Sequence, residues 1–78
     1  MNKREAQFLN DTVVDALAEI RENKGISVYR IAKDLGISHS SVLYIENHKQ
    51  KPTLFFLMMI ANYLEADLGE IISKVMKN

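Results

Sequence analysis

Two histidines and the serines beside one of them are the side chains whose types could support catalysis or metal binding. His39 stands between Ser38 and Ser40, but neighbouring helix positions point apart and no third residue is placed to orient the imidazole. A metal site would need more ligands than His39 and His48, and neither a cysteine nor clustered carboxylates accompany them. We therefore expect no enzymatic activity, no metal and no cofactor, and we interpret both histidines as polar surface residues.

The serine-rich segment lies inside a stretch, residues 27–47, that has the pattern of two short helices joined by a tight turn. Ser27 and Ser38 each follow an isoleucine, and each can cap the N-terminus of a helix. The apolar residues four positions later, Ile31 and Val42, complete a hydrophobic staple at each cap. Two capped helices joined by a short turn that contains glycine are typical of a helix-turn-helix unit.

Hydrophobic periodicity predicts three more helices around this unit. Asp11 or Thr12 can cap the first helix, Thr53 the fourth, and a capping box of Asp67 and Glu70 opens the fifth. The five helices are expected at about residues 12–24, 28–34, 39–47, 54–64 and 68–76. No strand pattern appears, so we expect an all-α, compact five-helix domain over residues 12–78, preceded by an N-terminal arm or helix extension over residues 1–11.

Composition and charge indicate where the protein works and what kind of surface it binds. The chain has no cysteine, which favours a reducing cytoplasm, and no apolar run long enough to span a membrane. The net charge is zero, but residues 24–52 carry five Lys or Arg against two Asp or Glu, a net charge of +3. Positive charge concentrated in this way fits a surface that contacts phosphate groups.

The spacing of small and apolar residues in the central segment carries a family resemblance. Residues 28–47 have Ala32 at the fifth place, Gly36 at the ninth and Val42 at the fifteenth. The other core places are apolar, namely Ile31, Leu35, Ile37 and Ile45. This pattern resembles the phage repressor and Cro type of helix-turn-helix, also called the XRE family. Three further runs are similar to that family as well: RENKGIS at residues 21–27, IE at residues 45–46 and KPTL at residues 51–54.

The resemblance implies a lambda-repressor-like fold in which helices 2 and 3 form the helix-turn-helix. It also implies an ion pair between Arg21 and Glu46, which would join the first and third helices. Two places depart from the family pattern. Val28 stands where the family usually has a phosphate-binding Gln, and Asn47-His48 stands where it usually has R-x-G. One phosphate donor and one turn glycine are therefore missing.

The polar face of the third helix is where the resemblance places DNA. On a helical wheel Val42 and Ile45 point to the core, and the N-terminal part of the opposite face would meet base edges in the major groove. The expected base contacts are His39, Ser40, Ser41 and Tyr44. The expected phosphate contacts are Ser27, Tyr29, Arg30, Asn47, Lys49 and Lys51. Serine discriminates bases weakly, so DNA shape should supply part of the specificity.

The fourth and fifth helices carry more apolar residues than one buried stripe needs. Leu54, Leu57, Ile60, Ala61 and Leu64 suffice for the inward stripe of the fourth helix. The surplus predicts a homodimer interface, with Phe55, Phe56, Met59, Ile72, Val75 and Met76 in it. The alternative is that the two helices and the N-terminal segment, with Phe8 and Leu9, cover one another.

These patterns predict a cytoplasmic, homodimeric repressor that binds an inverted-repeat operator in double-stranded DNA. Two alternatives stay open. One is an antitoxin-type autoregulator whose apolar surface binds a toxin as protein partner. The other is a protein-interaction module that kept the fold and lost DNA binding, which the zero net charge and Val28 favour.

Overall fold

Five α-helices joined by short turns make up the computed structural model, which describes residues 1–77. They are α1 (Lys3–Asn23), α2 (Val28–Leu35), α3 (His39–Glu46), α4 (Leu54–Tyr63) and α5 (Leu68–Met76). The described residues contain no strand, so the predicted all-α fold with five helices is confirmed. None of these helices has the length and apolar character that crossing a membrane requires. Asn78, the last residue of the predicted domain, lies outside the described residues.

The first helix, α1, starts well before the predicted start at Thr12. Its capping box is formed by Asn2, whose Oδ1 accepts from the Glu5 N–H at 2.8 Å, and by Glu5, whose Oε1 accepts from the Asn2 N–H at 3.4 Å. The prediction that Asp11 or Thr12 caps this helix is therefore wrong. The Thr12 hydroxyl instead donates to the Phe8 carbonyl at 2.8 Å, a bond made inside a helix. Most of the segment ahead of Thr12 thus continues α1.

Side-chain caps begin α2, α4 and α5. Ser27, Thr53 and Asp67 each accept a hydrogen bond from the backbone N–H three residues on, at 3.0 Å in each case. Ser38 has the extended backbone of a cap at the start of α3, but its hydroxyl makes no capping bond. The expectation of a side-chain cap at Ser38 is therefore wrong, and α3 is held by packing and by its C-terminal contacts.

The turn between α2 and α3 depends on the backbone of Gly36. Its φ of 68° lies in the left-handed region, which glycine adopts without a clash of a Cβ atom. The N–H of Ile37 then donates to the Ala32 carbonyl at 3.0 Å and closes the end of α2. Ile37 packs against the core, so the turn is fixed by both backbone and side chain.

The core lies where α1, α2, α3 and α4 meet. Its most deeply buried side chains are Ile31, Leu64 and Val42, with exposed fractions of 0, 1 and 2 %. Ala32 is buried between them, and its small side chain lets the helices approach closely. The fifth helix packs against α1 and α4 but contributes no fully buried residue, so it covers the core from outside.

An ion pair joins the last turn of α1 to the last turn of α3. Arg21 Nε and Nη2 donate to the two carboxylate oxygens of Glu46, each at 2.8 Å. Arg21 Nη1 also donates to the Ile26 carbonyl at 2.6 Å, and the residue is only 8 % exposed. The hydrogen bonds to Glu46 raise the pKa of Arg21 above its ordinary value, against the effect of burial. The two parallel hydrogen bonds of the pair fix α3 against α1.

We predict that Glu46→Gln lowers the free energy of unfolding by about 3 kcal/mol, because it leaves the buried Arg21 charge without its partner. Glu22→Gln is the matched control. The Glu22 carboxylate also lies near Arg21, at 3.9 Å, but it is exposed, so its loss should cost less than about 0.5 kcal/mol. Urea denaturation of both variants measures the difference, and equal small effects would contradict a stabilising role for the pair.

We also predict opposite effects of alanine at two glycines. Gly36→Ala should destabilise the fold by about 1 kcal/mol, because a Cβ meets no atom within 4 Å there and only the left-handed backbone opposes it. Gly69 lies inside α5 without a positive φ, so Gly69→Ala should stabilise the fold by roughly 0.5 kcal/mol. Thermal or urea unfolding reports both, and a stabilising Gly36→Ala would refute the assigned turn.

Candidate nucleic-acid interface

The outer face of α3 carries polar side chains, and its inner face is buried. Val42 and Ile45, with exposed fractions of 2 and 4 %, hold the inner face on the core. Of the predicted base contacts, His39, Ser40 and Tyr44 are exposed, and Ser41 is half-buried. Tyr44 is the largest of them and is 51 % exposed. The helix thus offers hydroxyl and imidazole groups along its first turns.

An aromatic contact links the starts of α2 and α3. The ring centroids of Tyr29 and His39 lie 6.3 Å apart, and the ring planes are inclined by 55°. Tyr29 is 65 % exposed, so the pair lies on the surface. This contact places one predicted phosphate contact beside one predicted base contact.

Arg30, one of two basic side chains of α2, has neighbours that sequence reasoning missed. Arg30 Nε lies 3.7 Å from Asp34 Oδ2, one helical turn away, and Asp34 also accepts from the Tyr63 hydroxyl of α4 at 2.5 Å. The hydrogen bond to Asp34 is the main cause that raises the pKa of Tyr63 above its ordinary value. The spacing of Arg30 and Asp34 is itself a signal for a helical ion pair. The part of Tyr63 follows only from how α4 packs on α2.

The start of α2 and the loop after α3 carry the other predicted phosphate contacts. Ser27 is exposed, and its hydroxyl oxygen accepts from the Arg30 N–H, which leaves its own hydrogen free to donate outward. Asn47, Lys49 and Lys51 are all exposed. Within residues 1–77 neither lysine makes a salt bridge, so both ammonium groups can meet an anion.

His48, in the same loop, has an unusual backbone and two acidic neighbours. Its φ is 62°, in the left-handed region that non-glycine residues rarely adopt. Its Nε2 lies 2.9 Å from Asp15 Oδ1 and its Nδ1 lies 3.4 Å from Asp11 Oδ1, both on α1. The spacing of the two aspartates at one helical turn was visible in the sequence, but their approach to His48 was not.

The predicted inward stripe of α4 is wrong at its first residue. Leu54 is 64 % exposed, because the buried side of the helix begins one turn later, where Leu57 and Ile60 pack. Phe56 turns inward in its place and packs against the core. Leu54 and Met58, one turn apart, instead form an exposed apolar row.

The six residues predicted for the dimer interface differ in exposure. Phe55 and Met76 are 70 and 57 % exposed. The other four are half-buried, namely Phe56, Met59, Ile72 and Val75. A groove of about 480 Å³ between α1 and α5 is lined by Phe8 and Leu9 and by two of these six residues, Val75 and Met76. Phe8 is 68 % exposed, so the N-terminal segment covers the apolar helices only in part.

The side chains around α3 supply hydrogen-bonding groups and positive charge. Among residues 1–77 no group of three or more His, Asp or Glu side chains is placed to hold a metal ion. His39, the histidine beside the serines, faces Tyr29 rather than a carboxylate. The exposed groups on α3, at the start of α2 and in the loop after α3 are donors and cations suited to an anionic, hydrogen-bonding surface.

Comparison with known protein families agrees with this geometry. A helix-turn-helix family model matches residues 17–71, which is more than half of the chain. The match includes all of α2, α3 and α4 and both members of the Arg21–Glu46 pair. No curated protein and no solved structure matches the chain. The chain therefore belongs to the helix-turn-helix family of the phage repressor and Cro type, and it is a DNA-binding transcriptional regulator.

Proposed function

We propose that this regulator is a cytoplasmic, homodimeric repressor that binds an inverted-repeat operator through α3 in the major groove. The observation that carries the proposal is the division of α3 into two faces. Val42 and Ile45 are buried, whereas the polar residues opposite them are exposed. A helix held in this way can enter the groove with its N-terminal residues against base edges.

The base contacts would come from four side chains at the start and middle of α3. Tyr44 has the longest reach, and its hydroxyl can donate to or accept from a base edge while its ring meets a thymine methyl. His39, Ser40 and Ser41 can hydrogen-bond to several bases, so they discriminate less. We therefore infer that the operator is recognised through Tyr44 and through DNA shape together.

The phosphate contacts would surround α3 on both sides. Ser27 and Tyr29 at the start of α2, with Arg30, would meet one stretch of backbone. Asn47, Lys49 and Lys51 after α3 would meet the next. Asp34 lies beside Arg30, so its negative charge offsets the positive charge of Arg30. The lysines should therefore supply most of the salt-dependent affinity.

A second copy of the chain would double this modest charge. The proposed interface uses the exposed Phe55 and Met76 together with the half-buried Phe56, Met59, Ile72 and Val75. Two α3 helices about 34 Å apart would match successive major grooves of an inverted repeat. The predicted division of the chain into residues 1–11 and 12–78 belongs to the same proposal, with α5 serving dimerisation.

We predict that Tyr44→Ala changes the sequence selected from a random pool of duplex DNA, because a base contact is lost. Lys49→Ala should instead weaken binding to all sequences and lower the slope of log affinity against log salt concentration by about one. Gln50→Ala, an uncharged exposed neighbour in the same loop, is the control and should match the wild type. Fluorescence anisotropy over a salt series measures all three.

Two outcomes would overturn these assignments. If wild-type protein binds no DNA even at low salt, the repressor proposal is wrong and the protein-interaction alternative is favoured. If Tyr44→Ala binds the same selected sequence as wild type with equal affinity, the proposed reading face of α3 is wrong.

We predict that Phe55→Glu dissociates the dimer and weakens operator binding at least tenfold, because a charge would be buried in an apolar interface. Gln7→Glu adds the same charge on the exposed side of α1, outside the interface, and should leave the dimer intact. Analytical ultracentrifugation measures the assembly. A wild-type monomer at micromolar concentration would show that no such dimer forms.

The exposed apolar row of Leu54 and Met58 beside Phe55 also fits an antitoxin-type autoregulator. In that case a toxin would occupy this surface while α3 binds the promoter. Co-purification of a second protein that Phe55→Glu abolishes, with DNA binding retained, would favour this function over a simple repressor.

A further inference from the structure

The left-handed backbone of His48 is a local strain that the surrounding structure must offset. A non-glycine residue at a φ of 62° is less stable there than glycine would be, because its Cβ approaches the following carbonyl oxygen. Such residues persist where other contacts hold them in place. Besides the backbone hydrogen bonds that end α3, His48 has the contacts of its imidazole with α1.

The imidazole of His48 lies between two carboxylates of α1. Asp11 and Asp15 are one helical turn apart, so their side chains share a face of the helix. Nε2 lies 2.9 Å from Asp15 Oδ1 and Nδ1 lies 3.4 Å from Asp11 Oδ1. Asn10 Nδ2 also donates to Asp11 Oδ1 at 3.2 Å, which steadies that carboxylate. The bridge therefore ties the loop after α3 to the middle of α1.

The same backbone turn determines where Lys49 lies. The N–H of His48 donates to the Ile45 carbonyl at 3.0 Å, and the N–H of Lys49 donates to the Tyr44 carbonyl at 2.8 Å. The chain thus folds back over the last turn of α3 at His48. Any change in the conformation of His48 would move Lys49 relative to Tyr44, which lies on the proposed reading face.

We propose that His48 is a positioning residue for DNA binding. Through Asp11 and Asp15 it fixes the loop after α3, so that Asn47 and Lys49 meet phosphate groups in register with the base contacts. This inference rests on the proposed binding of DNA through α3. It implies that the contacts of His48 with α1 increase the affinity for DNA.

The electrostatic effect of Asp15 has the opposite sign to its positioning effect, which allows a sharp test. Removing a carboxylate from a DNA-binding protein normally strengthens binding, because repulsion of phosphate is lost. Positioning predicts that Asp15→Ala weakens binding, because the bridge to His48 is lost. Glu19→Ala, which removes an exposed acid one turn further along α1, is the matched control and should bind DNA as well as wild type or better.

His48→Gly supplies the second variant, because glycine relieves the backbone strain while it removes the imidazole. We expect an unfolding midpoint in urea close to that of wild type. We expect DNA affinity to fall roughly fivefold, because the loop must be ordered on binding. The salt slope should fall by about one as the Lys49 contact weakens. The double variant His48→Gly/Asp15→Ala should bind no worse than either single variant, since both break one bridge.

Anisotropy with the selected operator over a salt series, together with urea denaturation, decides between the outcomes. Weaker binding by both single variants, with the folded fraction unchanged, supports the inference. If wild type binds DNA and Asp15→Ala binds more tightly, or His48→Gly binds equally well, the positioning role is wrong although the proposed function stands. If wild type binds no DNA at low salt, the proposed function fails and this inference fails with it.

Discussion

The ion pair between Arg21 and Glu46 is the interaction on which the position of α3 depends. A helix of eight residues is too short to be stable alone, so its orientation must come from tertiary contacts. Apolar burial of Val42 supplies attraction but little directional control, because the hydrophobic effect is not directional. The two hydrogen bonds of the pair, each 2.8 Å long, supply the direction at the end of α3. The polar face of α3 is exposed because Val42 and Ile45 are buried on the opposite face.

The proposed recognition surface carries little charge for a protein that binds DNA. Its cations are few. Arg30 is paired with Asp34, and Asp34 also accepts a hydrogen bond from the Tyr63 hydroxyl. In the proposed mode of binding, affinity comes from accurate placement of a small number of groups, one of which is Lys49 in the loop after α3. In the proposed mode of binding, preorganisation of that loop would lower the entropy lost when DNA binds.

The helices and the residues of the core were largely predictable from the sequence, because local spacing indicates which side of each helix is apolar. The burial of Ile31 and Val42 follows from helical periodicity, and the left-handed turn at Gly36 follows from the absence of a side chain. The start of α1 was mispredicted, since the polar residues after its capping box carry no apolar period although the helix runs through them. Leu54 was misassigned because a helical wheel does not show where the neighbouring helices end.

The sequence by itself determined the helix-turn-helix unit and the identity of the side chains that α3 can offer to a ligand. These are consequences of local spacing, and the family match over residues 17–71 includes the whole unit. Only the tertiary structure decided which polar residues are already engaged. His48 contacts Asp11 and Asp15, and Asp34 contacts Tyr63, because segments that are distant in the chain pack side by side. Partners of this kind depend on three-dimensional proximity, which spacing along the chain does not encode.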